Sequence, residues 1–243
     1  YFVAGPALGM LLAERREWQR RLLGLLVFLP SLPPGWFTFM IGSIEKYRGH
    51  TKGFEVSLME VLALGLILAV LRGPRGAGEP PRRVLPPGTL VYALWCAAGL
   101  MSVVNAWDAS LVLMAFARFA KALLVYVAAA LCLRDMRDLR TALASLALSL
   151  VLQALVCLKL RYLNGQFQVR GLFEHQNPMA MWAYMSGCVV FAAALHKETR
   201  GGLLWLCLGG CAAAGLCVLL AVSRAALAAY AVGAGCWCWP WPG

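Results

Sequence analysis

The chain has 243 residues, 61% of them hydrophobic and only 14% charged, and a formal net charge of +11. Soluble domains carry roughly a quarter charged residues, so this composition, with a mean hydropathy of +0.72, excludes a water-soluble enzyme and indicates an integral membrane protein. The excess positive charge falls in short loops between apolar runs, with no basic arm and no aromatic-interleaved basic patch, so nucleic acid is excluded as a partner and membrane lipid is expected.

Seven of the nine cysteines (Cys96, Cys132, Cys157, Cys188, Cys207, Cys211 and Cys217) lie in or at the ends of apolar runs, where cysteine behaves as a small hydrophobe. No pair has zinc-ligand spacing with histidine partners, so neither a disulfide framework nor a metal is expected. Cys236-Trp237-Cys238 has a metal-like spacing but falls in a stretch, 236–243, whose composition breaks abruptly from what precedes it. Residues 1–235 read as a single transmembrane helical domain and 236–243 as an atypical tail. From the start at Tyr1 and the unfinished last apolar run, the chain is expected to be a piece of a longer protein.

The fold class expected is all-α: a polytopic helix bundle of eight to nine membrane segments, the first and last incomplete, each near the ~20 residues that cross the hydrocarbon. Segment one is 1–13, followed by the arginine-rich loop 14–21. Segment two, 22–41, contains Pro30, Pro33 and Pro34 and must be kinked or broken. The polar loop 42–55 leads to segment three, 56–71, and the Pro/Gly/Arg-rich loop 72–88 to segment four, 89–106. A tight turn at Trp107-Asp108 precedes segment five, 110–133. Loop 134–140 then leads to segment six, 141–158, and the long polar stretch Arg161 to Asn177 to segment seven, 178–195. After loop 196–202 comes segment eight, 203–222. Ser223-Arg224 opens a ninth helix from Ala225 to about Trp237. No soluble domain, heptad or repeat of period about 20 to 50 is present.

Loops 14–21, 72–88, 134–140 and 196–202 hold thirteen of the Lys and Arg residues, against seven in the alternate set. The positive-inside bias therefore puts the first set in the cytoplasm and the central stretch and Arg224 on the outer face.

Arg118 and Lys121 lie inside segment five, three apart and on one helix face. At 1.5 Å per residue, Arg118 is about 12 Å below the outer surface, where a cation costs on the order of 3 kcal/mol unless paired or hydrated. Two readings stay open: snorkelling or pairing with Asp108 or another end-of-helix carboxylate, or lining an outward-open cavity. Asn177-Pro178 reads as N-cap and first turn of segment seven, and Ser223 as the cap of the ninth helix. Helix starts at the outer face offer free N–H groups and positive dipole ends, and Arg170 and Arg224 add planar forks of donors. Together these suit a polyanion such as a pyrophosphate. His175 reads either as a general base or phosphate ligand, or as a hydrogen-bonding residue beside the cap. Glu174 reads as a surface carboxylate. Trp36, Trp95, Trp107 and Trp182 read as interface aromatics rather than a sugar platform.

The run Arg170 to Ala180 fits Arg-Gly-x-Phe-x-His-x-Asn-x-x-Ala. It resembles the central motif of the O-antigen ligase/polymerase family, and Ser223-Arg224-Ala225, one outer loop later, is similar to that family's Ser-Arg-Gly motif. The resemblance covers about residues 22 to 235. It implies a bacterial inner-membrane glycosyltransferase that moves a glycan from undecaprenyl pyrophosphate to an acceptor hydroxyl on the periplasmic side, with inversion and without metal, nucleotide or other cofactor. Arg170 and Arg224 would then bind the pyrophosphate leaving group, with Arg118 or Lys121 as further contributors. Two departures stand out. Ala225 replaces the family's glycine, and the large outer loop that carries a further histidine in the family lies beyond Gly243, so the chain as given is expected to hold half a site and to be inactive. The alternatives are a transporter or flippase for an anionic lipid-linked substrate and a non-catalytic membrane subunit.

Overall fold

The computed structural model describes residues 3–33, 37–43, 53–73, 85–106 and 109–238. Apart from one β-hairpin, the regular structure there is helical, in two compact units: residues 1–26 with 35–138, and 27–34 with 139–243.

In the first unit, α1 (Ala4–Leu12) packs along α3 (Leu58–Arg72). Backbones meet closely because small residues face the partner: a Cβ on Gly9 would come 2.6 Å from Cβ of Leu68. The amphipathic α2 (Arg16–Phe28) begins in this unit. The segment expected over 22–41 is not one span. Its helix gives way to a 3-10 turn at Leu29–Ser31, where Pro30 withdraws a backbone donor, and the chain then enters β1 (Thr38–Ser43).

β1 pairs antiparallel with β2 (Gly53–Ser57), Thr38 opposite Ser57 and Ile41 opposite Phe54. The ends of the polar loop expected at 42–55 are thus strands; 44–52 lie outside the described residues, as do 74–84 of the loop at 72–88, Trp36, and the turn Trp107-Asp108. Ser57 caps α3 in a capping box whose other member is Glu60. α4 (Thr89–Met101) is extended by a 3-10 turn, Ser102–Asn105, and leans on α5 (Ala109–Cys132) through Trp95 edge-on to Phe119.

An ion-pair cluster joins the α1–α2 turn to the end of this unit. Asp138 is fully buried and accepts from Arg16 Nη2, from Arg20 Nε at 3.0 Å and from the backbone N–H of Arg134 at 3.0 Å. Asp135 lies 3.2 Å from Arg20 Nη2. The hydrogen bond to Asp138 holds the Arg20 guanidinium above its ordinary pKa. The N–H of Asp138, donating to Asp135, pulls the Asp135 carboxyl below the usual aspartate value. Two loops that charge bias assigned to the same side therefore meet.

The second unit holds the end of α2 with its 3-10 turn, α6 (Met136–Leu158) from Leu139 onward, α7 (Gln176–Leu195), α8 (Gly202–Leu220) and α9 (Arg224–Cys238). Its core is built from small side chains, among them Ala147, Ala154, Ala183 and Ala214, with Leu150, Met179 and Val190 filling the gaps. Large apolar groups such as Leu155, Met185, Trp205 and Leu219 point outward, the pattern of helices whose surroundings are lipid.

Among the described residues, four helical stretches are long and apolar enough to cross a bilayer: Val112–Cys132, Met136–Leu163, Gln176–Leu195 and Gly202–Leu220. They match segments five to eight, although α6 starts five residues before the expected 141. Of the others, α1 has 9 residues and α3 has 15, short of a span at 1.5 Å per residue. α9 runs to Cys238, so the compositional break at 236 begins inside a helix, and 239–243 lie outside the described residues.

Candidate functional site

The polar stretch between α6 and α7 is a folded turn. α6 ends in a π-helical turn, Lys159–Leu163. Arg161 folds back over the Phe167 ring, 5.0 Å from its centroid, and donates to the carbonyls of Gln166 and Phe167. Phe173 packs against Trp182 of α7 at 5.6 Å, so this tryptophan anchors the turn.

Arg170 sits between two fixed residues. The Val169 side chain is fully buried, and its N–H donates to the carbonyl of Leu220 at 3.3 Å. On the other side the N–H of Leu172 donates to Gln153 Oε1 at 3.0 Å. Gly171 between them has φ +60°, and a Cβ there would overlap Gln153 Oε1, so glycine is required on both counts. Arg170 itself is exposed and donates from Nη1 to the carbonyl of Glu174 at 3.3 Å.

The Val169–Leu220 bond matters for the second arginine. Leu220 ends α8, and only Ala221, Val222 and Ser223 separate it from Arg224, the first residue of α9. The start of α7, the end of α8 and the start of α9 therefore lie at one end of the helix group, with Arg170 and Arg224 both exposed there. Ser223 is placed as a cap, its carbonyl receiving the Leu227 N–H at 3.0 Å. Val222 holds φ +55°, a left-handed conformation that β-branched residues avoid. Strain of this kind, of order 1–3 kcal/mol, collects at functional sites.

The expected capping by Asn177 is corrected. α7 begins at Gln176 and its N-cap is His175, in extended conformation (φ −136°, ψ 156°) with no side-chain capping bond. Asn177 is instead an exposed first-turn residue, and Pro178 is still accommodated because first-turn N–H groups have no intrahelical acceptor. His175 is exposed at the same end.

Arg118 and Lys121 belong to the first unit. Lys121 donates to the carbonyl of Glu55 and lies 3.8 Å from Glu60 Oε1. Its partner is thus an end-of-helix carboxylate, supplied by α3. Arg118, one turn toward the start of α5, is exposed.

Three contributors went unread in the sequence. Gln153 is a buried amide with partners 19 and 122 positions away, and Asp138, in the first unit, takes its guanidinium partners from 122 and 118 positions away. For Gln153 the available signal was a lone amide within an otherwise apolar span. The Val222 backbone left no sequence signal. Among the described residues no group of three or more His, Cys, Asp or Glu side chains is arranged to hold a metal ion. No protein-family model, curated protein or solved structure matches the chain.

Proposed function

We propose that the chain is part of a membrane glycosyltransferase of the O-antigen ligase/polymerase type, which in its full-length form moves a glycan from undecaprenyl pyrophosphate to an acceptor hydroxyl at the periplasmic face of a bacterial inner membrane. The Arg-Gly-x-Phe-x-His-x-Asn motif supplies the resemblance. The observation that carries the reading is the Val169–Leu220 hydrogen bond, which ties the Arg170 turn to the turn that leads into Arg224. Two guanidinium groups and two helix starts then serve one anion.

In this mechanism the acceptor oxygen forms a bond to the anomeric carbon as the bond from that carbon to the diphosphate oxygen breaks, inverting the centre. The acceptor proton passes to a base, and the diphosphate leaves with the extra negative charge. Arg170 and Arg224 stabilise that charge as it develops, which lowers the barrier to transfer. His175 and Asn177, exposed at the same end, supply further hydrogen bonds to the headgroup.

A second reading, a transporter or flippase for an anionic lipid-linked substrate, is favoured by a different feature. The segment expected over 22–41 is broken, α3 is too short to span, and Lys121 pairs with Glu60 along α5. A transfer assay separates the two, because a flippase relocates the lipid without making a new glycosidic bond. In membranes that hold the full-length form of the protein and are supplied with labelled undecaprenyl-pyrophosphate glycan, Arg170→Ala and Arg224→Ala each abolish label transfer to the acceptor while membrane insertion is unchanged. Transfer at the unsubstituted level in both variants would remove the assignment.

A further inference from the structure

We infer that Gln153 is a positioning residue that presents Arg170 to its anion; the inference rests on the reading of this turn as a diphosphate site. Gln153 lies near the end of α6, five residues before Leu158, among Val151, Leu152, Ala154 and Leu155, and it is fully buried. An amide in an apolar span is tolerated when both of its ends are used. Here they are: Nε2 donates to the carbonyl of Ser31, and Oε1 accepts the N–H of Leu172 at 3.0 Å.

The same side chain thus connects the 3-10 turn after α2 to the Arg170 turn. Gly171 makes room for it, since any side chain there would displace Oε1. The Val169–Leu220 bond fixes the opposite flank. Arg170 is the exposed residue between two immobilised neighbours, so its guanidinium is offered from a backbone that needs no ordering when an anion arrives. Pre-organisation of this kind raises affinity by removing the entropic cost of fixing the loop. Gln153 never touches the ligand; it acts through Arg170.

The test is a double-mutant cycle on diphosphate affinity in the purified full chain, with farnesyl diphosphate and inorganic pyrophosphate as probes. Comparing the two probes separates headgroup recognition from recognition of the lipid tail. Gln153→Leu, which keeps the volume and removes both hydrogen bonds, is expected to weaken binding roughly tenfold, close to the loss from Arg170→Ala. The double variant should be no weaker than Arg170→Ala alone, because one residue works through the other. Amide exchange at Leu172 should accelerate in Gln153→Leu. If that variant does not fold, Gly171→Ala displaces the same contact and is judged by the same criteria. Unchanged affinity, or losses that simply multiply in the double variant, would overturn this inference alone. An unsubstituted chain that binds neither probe would overturn the diphosphate reading and this inference with it.

Discussion

In the first unit, Arg16 and Arg20 close on the carboxylates of Asp135 and Asp138, and Lys121 on that of Glu60. In the second, Arg161 and Arg170 donate to backbone carbonyls. A carboxylate cancels the charge it binds; a carbonyl orients the group and leaves its charge in place. The first arrangement builds a joint between helices, whereas the second holds the guanidinium within its own turn. The same residue type is paired with a carboxylate in one unit and with a carbonyl in the other, and under the proposed function it is the second kind that meets an anion.

Removing Asp138 tests the structural side of that contrast most severely. Asp138→Ala leaves Arg16 and Arg20 facing each other without their shared buried acceptor, and loss of one member of a buried pair typically costs about 3–5 kcal/mol. Thermal unfolding in detergent should show a large drop in midpoint, with the Arg170 turn keeping its protection from amide exchange. A midpoint within a degree or two of the unsubstituted chain would mean that the cluster contributes only as exposed pairs do.

A smaller effect of opposite sign is expected at Val222. Val222→Gly relieves the left-handed strain and should stabilise the chain by about 1 kcal/mol, while loosening the turn before Arg224 and, under the proposed function, lowering glycan transfer by the full-length form. A variant that is both less stable and fully active would show that the φ of +55° is neither strained nor useful.

How much of this was legible beforehand follows from range. Segments five to eight could be placed because each is a long apolar run bounded by polar residues, a signal local to the chain. The break after α2 was announced by Pro30, Pro33 and Pro34, but the β-hairpin that follows was not, since Thr38–Ser43 reads as apolar in either conformation. Arg170 stood out as a cation in the polar stretch before segment seven, and Arg224 as one at a helix start. What ties the turn of Arg170 to the end of α8 is a backbone bond between Val169 and Leu220, and no side-chain pattern encodes a backbone partner 51 residues away. Asn177 was misassigned by two positions because Asn-Pro matches a cap signature, whereas α7 begins two residues earlier than expected, at Gln176.

The account stands most directly on Arg170 and Arg224 sharing one face of the membrane. Single cysteines at positions 170, 224 and 137 of the chain, each probed in intact cells with a membrane-impermeant thiol reagent, address it without any assay of activity. Arg170→Cys and Arg224→Cys should label from outside, and Arg137→Cys, at the other end of α6, only after the membrane is opened. Labelling of 170 and 224 from opposite sides would contradict the account outright.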